Sequence, residues 1–441
     1  MQNPLRAINS ISSQVVEAIQ LTLFSEEFKE RHRVRKEDFT RRSPLSFVRV
    51  MLMLCNSMQA TYAKEMETVF EALDGEGFQE LSVPDSSAFS HARSKLQPTA
   101  FVELNRRLLG LAAGLCSDHV ETWKGYRMVG LDGSTLQLPD TPGIRAEFDP
   151  GAPAGGIPHA RVSQCVDVLN HICLDSQISP IAVGERELFR RHLDPIADAG
   201  GLLLMDRGYA AHWLFQLCLV ESVPFVARLK LSHTAAVREF VASGATEGEI
   251  LFKPTASSRN VLADEGVEPV PLRLRVVRIE LSSGKTEVLA TSLPPEEMSL
   301  DDLDLCYELR WGSETAYRHQ KSHMHVENFS GRTARSVRQD YHATVFIQNL
   351  AAVLALPLHA MIREATAHRK HTYQLNFASA ARAMRGRAVR FLGRAVGFGK
   401  ALVEALVKCA KNLSIWRYGR IFERRKKNPG RKHHTSYKPI S

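Results

Sequence analysis

The chain has 441 residues, enough for several structural units and a sizeable core. Hydrophobic residues make up 44% and charged residues 24%, which excludes an intrinsically disordered or collagen-like chain. The formal net charge is +9, and +8 of it falls in residues 417–441, where nine Lys or Arg stand against Glu423 alone. Such a tail is suited to bind a polyanion without sequence specificity or to stand as a solvated terminus.

Residues 1–120 read as helical, with apolar periodicity over 13–23, 45–58 and 101–115. Asp85-Ser86-Ser87 is an N-cap pattern ahead of a helix over 88–96, and Pro98 ends that helix or starts the next. Ser86, Ser87, Ser90, His91, Arg93 and Lys95 give that helix a polar, cationic face. Composition changes near Trp123. Residues 127–131 form a short apolar strand ending at Asp132-Gly133-Ser134, and 135–138 continue extended. The Gly-, Pro- and Ala-rich stretch 141–156 is expected to be loop. Residues 161–168 and 171–178 flank Leu169-Asn170 as the arms of a hairpin. A helix over 185–193 is interrupted at Pro195, and a buried strand over 201–205 ends at Asp206. A helix over 212–220 and a strand over 224–229 follow.

Within 231–299 the pattern turns to alternation, and 272–281 and 286–293 form a hairpin around Ser282-Ser283-Gly284-Lys285. A helix is expected over 303–326. A long apolar-periodic helix over 336–365 should break at Pro357, and 380–392 and 398–407 read as amphipathic helices. The seven cysteines form no C-x-x-C pair, so buried thiols in a reducing compartment are expected. No secretory signal pattern opens the chain, and the longest glycine-free apolar stretch, Leu350–Leu356, is too short to span a bilayer. These features place the protein in the cytoplasm.

Three runs carry chemistry: Gly130-Leu131-Asp132-Gly133-Ser134, Leu204-Met205-Asp206-Arg207-Gly208-Tyr209, and the stretch from Tyr307 to Lys321. In the third, Tyr307, Arg310, Glu314 and Lys321 fall within about 60° of one another around a helix. Each carboxylate alone has an ordinary reading. An Asp before Gly is a common turn residue, and a glutamate four residues after an arginine is a common helix-face pair. His319 and His323 are spaced for a helical zinc pair, but further ligands are not evident.

The third run has the form Y-x2-R-x3-E-x6-K, and two aspartate motifs precede it in order. With these residues the chain resembles bacterial insertion-sequence transposases of the DDE group that carry the YREK signature, over roughly Ser86 to Leu354. The resemblance implies an α/β fold: an RNase H-like mixed sheet flanked by helices and interrupted by a mostly β insertion. It implies a helical DNA-end-binding domain over 1–120, catalytic segments over 121–230 and 300–370, an insertion over 231–299, and a helical C-terminal region over 371–441 ending in the basic tail.

The same resemblance implies that Asp132 bridges two Mg²⁺ ions, with Asp206 and Glu314 each completing one and Mn²⁺ able to substitute. Tyr307, Arg310 and Lys321 would contact DNA phosphates. Arg207 and Tyr209 would line the DNA groove, and Arg93 and Lys95 would lie on the end-binding surface. The implied partner is double-stranded DNA, both terminal inverted repeats and target, bound by a homodimer in the nucleoid. Neither a membrane nor a small-molecule substrate is implied. The implied reaction is cut-and-paste transposition through DNA hairpins. A transposase-derived DNA-binding protein without catalysis, an RNase H-like nuclease without strand transfer, and a glycosidase using paired carboxylates remain alternatives from residues alone.

Overall fold

The computed structural model of the protein describes residues 2–56, 61–75, 83–280, 284–310, 312, 317, 320–321, 324–384, 386–395 and 397–415. Six helices open it: α1 (Gln2–Leu23), α2 (Glu26–His32), α3 (Phe47–Cys55), α4 (Tyr62–Asp74), α5 (Ser86–Ser94) and α6 (Thr99–Leu115). Then come β1 (Arg127–Gln137), α7 (Pro142–Phe148), β2 (His159–Asp167), β3 (Ile172–Pro180), α8 (Glu185–Phe189), α9 (Leu193–Asp198), β4 (Gly201–Met205), α10 (His212–Val220) and β5 (Phe225–Leu229). The next elements are α11 (Ala235–Ala242), β6 (Glu247–Phe252), α12 (Ala256–Asp264), β7 (Leu272–Glu280), β8 (Thr286–Thr291) and α13 (Leu300–Leu309). The C-terminal part holds α14 (Ala334–Thr366), β9 (Tyr373–Leu375), α15 (Phe377–Met384), α16 (Arg387–Leu392), α17 (Phe398–Lys411) and β10 (Leu413–Ile415).

Local chemistry explains where these helices start. Ser46, Thr61, Asp85, Thr141, Thr234, Thr255, Ser299 and Thr333 each accept a backbone N–H from the first turn of the helix they precede. At Thr141 this overturns the loop expected over 141–156. Thr141 caps α7 and Pro142 takes the first helical position, where its missing N–H costs nothing. The expected break at Pro357 is also absent, because α14 runs through it. An interior proline costs about 3 kcal/mol. Full burial of Leu354, Leu356 and Leu358 around it offsets that cost.

The chain divides into two compact units. One comprises residues 1–120, 136–160 and 318–441. Its centre is α14, which packs against α1, α3, α6 and α15 and buries Tyr341, Phe346, Ile347, Leu350 and Val353. This helix is long and apolar enough to cross a membrane, but 83% of its most apolar window is buried in the protein, as in a core helix. The expected helix over 303–326 stops short of its predicted end: His325 has φ of 49° and lies outside any helix.

The other unit comprises residues 121–135 and 161–317. Its strands belong to an eight-stranded sheet in the order β3-β2-β1-β4-β5-β8-β7-β6. β1, β4 and β5 run parallel, while β8, β7 and β6 add antiparallel strands. The turn between β2 and β3 is tied by Asp167, which accepts N–H groups from the backbone and side chain of Asn170. The result is a mixed sheet flanked by helices, the RNase H-like α/β arrangement expected. The segment 231–299 does not form a sheet of its own: β8 pairs directly with β5 and extends the central sheet. β1 runs unbroken through Asp132-Gly133-Ser134 to Gln137, joining the strand expected over 127–131 to the extended stretch expected over 135–138.

Candidate active site

β4 is buried along its whole length, which is why its sequence is an uninterrupted apolar run. It pairs in parallel with β1, and the last rung of that pairing joins Leu131 to Met205. Asp132 and Asp206 are the next residues on each chain. Neighbouring strands lie about 4.8 Å apart, so the register sets the two aspartates side by side at the carboxyl end of the parallel core. Each carboxylate accepts the N–H of the residue after it: Gly133 N to Asp132 Oδ1 at 2.9 Å, and Arg207 N to Asp206 Oδ1 at 2.7 Å. Both side chains are half-buried. The hydroxyl of Tyr317 donates to the carbonyl oxygen of Asp132 at 3.0 Å. Glu314 lies outside the described residues.

The family model of the transposase DDE domain matches residues 123–350 of this chain. The chain belongs to the DDE transposase family. A cryo-EM structure of a piggyBac transposase synaptic complex with hairpin DNA is 10% identical, with a TM-score of 0.43 over 89% of this chain and 84% of that one. A likeness that distant carries no argument about function. No curated protein matches the chain.

Around the transposase's aspartate pair, the expected DNA-facing residues divide. Arg207 is exposed beside Asp206. Tyr209 is not on an open groove: its ring is buried, since β4 turns directly into this segment and the N–H of Tyr209 bonds back to the carbonyl of Asp206. Burial pushes its phenol pKa well above the ordinary range, and the carboxylates of Glu185 and Asp132 push in the same direction.

Tyr307 and Arg310 are buried as well, and therefore are not on an open helix face. They stand together at the end of α13, the Arg310 guanidinium 5.6 Å from the centre of the Tyr307 ring. Burial raises the Tyr307 phenol; Arg310 and Arg228 pull it down, and Asp206 and Glu287 push it up. Glu287 on β8 bonds to Arg228 on β5 at 2.8 Å, and burial lifts its pKa despite Arg228 and Arg310 nearby. A belt of mixed charge thus borders Asp206. Arg228 and Glu287 carry no local signal in the sequence, because only the pairing of β5 with β8 brings them together. Lys321, the last residue of the signature, is half-buried in the helical unit.

Arg93 corrects the surface expected on α5. It is 4% exposed, and its guanidinium is shared among Asp340, Gln339, Ser330, Tyr62 and the carbonyl of Ser336. In this conformation it is committed to the helical unit rather than presented to DNA. Lys95 is the half-buried C-cap of the same helix. α5 also lines a cavity of about 800 Å³, whose lining includes Ser86, Ser90 and Arg93 together with Arg332 and Arg335.

One constellation resembles a hydrolase triad without being one. His192 bonds Asp175 at 2.7 Å and Ser163 at 2.9 Å. Ser163 and His192 are fully buried, so no substrate reaches the hydroxyl. The network ties β2, β3 and the turn before α9 together. Burial, the largest single influence, raises the Asp175 carboxyl, but the bond and charge of His192 together with the hydrogen bonds from Gln177 and the Ser176 backbone outweigh it and hold the pKa below the usual range. The seven cysteines are free and buried, as expected.

Proposed function

We propose that this DDE transposase cuts DNA at the ends of an insertion sequence and joins the freed 3′-hydroxyls to target DNA. Asp132, Asp206 and Glu314 act as its carboxylate triad. The observation that carries this reading is the parallel rung between Leu131 and Met205, which makes Asp132 and Asp206 neighbours inside the segment matched to the transposase domain. Support for Glu314 comes from Tyr317, three residues further on, whose hydroxyl reaches the Asp132 carbonyl.

Paired carboxylate oxygens are the donors that Mg²⁺ and Mn²⁺ select. The third ligand is assigned to Glu314 on the resemblance of the run from Tyr307 to Lys321 to the transposase signature. Divalent cations held by Asp132, Asp206 and Glu314 would supply Lewis-acid stabilisation of the charge that develops on phosphodiester oxygens. The protein's part is to hold Asp132 and Asp206 on adjacent strands and to seat a phosphodiester beside exposed Arg207, with half-buried Arg228 adding positive charge nearby. Hairpin formation, a DNA-bound homodimer, and phosphate contacts from Tyr307 and Lys321 belong to the same proposal.

The test uses supercoiled plasmid carrying the DNA that flanks this gene, with full-length protein and Mg²⁺. Wild type is compared with Asp132→Ala and Glu314→Gln. Hairpin-ended fragments and strand-transfer products from wild type alone are the expected result. Cleavage without strand transfer would mark a nuclease, and cleavage surviving in both variants would place the chemistry elsewhere. End binding with no cleavage by any protein would mark a DNA-binding protein that has lost catalysis.

A further inference from the structure

The ladder between β1 and β4 ends at Leu131 and Met205, so it brings Asp132 and Asp206 alongside each other but does not pair them or the residues that follow. Two consecutive side chains outside both motifs reach across that gap. Glu185 and Arg186 open α8. The carboxyl end of Glu185 lies over Gly133: a β-carbon built there would stand 2.5 Å from Cδ, 2.7 Å from Cγ and 2.8 Å from Oε1 of Glu185. Gly133 is not among the positive-φ glycines, so its need for glycine is one of space, not backbone angle. The same Oε1 accepts Nη1 of Arg161 at 2.8 Å, which pins the carboxylate in place. Arg186 points to the other motif, where its Nε donates to the carbonyl of Gly208, two residues after Asp206, at 2.6 Å. Tyr209 closes the arrangement, with its N–H on the Asp206 carbonyl and its buried phenol near Glu185 and Arg161.

We propose that Glu185 and Arg186 are positioning residues that clasp the Asp132 segment to the Asp206 segment and thereby set the affinity of the aspartate pair for divalent cations. The inference rests on the reading of Asp132 and Asp206 as cation ligands. Outer residues that orient ligands typically change metal affinity by about tenfold to 100-fold when removed. Here they act through the backbone of Gly133 and Gly208, so the lower figure applies.

The experiment titrates full-length protein with Mn²⁺, following free Mn²⁺ by electron paramagnetic resonance. Plasmid nicking against Mn²⁺ concentration and the metal-free unfolding temperature are measured on the same samples. Glu185→Ala, Gly133→Ala and Arg186→Gln should each raise half-saturating Mn²⁺ by about tenfold with folding retained. The double variant Gly133→Ala/Glu185→Ala should be no worse than either single, because both remove one contact. Glu187→Gln, an exposed neighbour on α8, should match wild type. If Glu185→Ala unfolds, Arg186→Gln, on an exposed side chain, still decides the matter.

Unmoved Mn²⁺ curves in Glu185→Ala and Arg186→Gln, with binding lost in Asp132→Asn, would overturn the clasp alone. Additive effects in the double variant would overturn the shared contact. Mn²⁺ binding that survives Asp132→Asn would overturn the cation reading and the clasp with it.

Discussion

Asp340 in the helical unit and Asp206 in the sheet unit show two ways of keeping a carboxylate. Asp340 is saturated: one oxygen takes Arg93 at 3.0 Å and the Ser330 hydroxyl at 2.8 Å, the other the Ser330 N–H at 2.7 Å. Its pair with Arg93 is nearly closed to water, at side-chain exposures of 5% and 10%. Asp206 is half-buried, is bonded to the next N–H in the chain, and has exposed Arg207 beside it. The first arrangement spends its charge inside the fold; the second keeps charge at a surface where DNA and cations can meet it. An aspartate near an arginine therefore says little until its remaining lone pairs are accounted for.

Substitutions at the two carboxylates should separate these roles most sharply. Asp206→Asn should lower plasmid nicking by about a thousandfold or more with unfolding unchanged. Asp340→Asn should lose activity only in proportion to the unfolded fraction; equal loss in folded protein would erase the contrast. The next largest effect is on stability. Arg93→Ala leaves Asp340 buried without its countercharge, and should cost about 3–5 kcal/mol in urea denaturation. A fall in DNA affinity without that cost would return Arg93 to the DNA surface. A smaller effect is expected at Arg207→Ala, where the slope of log affinity against log salt should shrink by about one phosphate contact. An unchanged slope would remove Arg207 from the DNA path.

The smallest effect is a pH dependence in the sheet unit. Burial lowers the pKa of His212, and burial together with Arg186 and Lys230 lowers that of His233. The unfolded chain binds their protons near the ordinary value of about 6.5 and the folded chain does not. Stability contributed by the neutral forms is therefore complete above that value and declines as pH falls below it. Unfolding temperatures from pH 7.5 down to 5 should show the decline, reduced in a His212→Gln, His233→Gln variant.

Much of the catalytic strand order was legible in the sequence because it rests on short-range signals. The apolar run Gly201–Met205 before Asp206 and the Leu169-Asn170 turn between β-rich arms needed only period and turn chemistry. Thr141-Pro142 carried an equally local start signal, hidden by the glycines and prolines around it. What stayed illegible was set at long range. Arg93 reads as cationic face until α14 supplies Asp340 and Gln339. Tyr307 and Arg310 read as an open stripe until β5 and β8 bring Arg228 and Glu287 to them. Glu185 shows in the sequence only as the start of a helix over 185–193, and only the fold puts it on Gly133.

The pairing of β8 with β5 has a consequence for how this chain can be remodelled. Without β8, β5 would be the border of the sheet, with a row of unmated amide and carbonyl groups beside the segment that carries Asp206. Excising residues 231–299 to reach a minimal nuclease would leave that border open to strands from other molecules, and the trimmed protein should precipitate before its chemistry could be assayed. The segment 231–299 thus serves as the selvedge of the sheet, finishing a margin that would otherwise unravel.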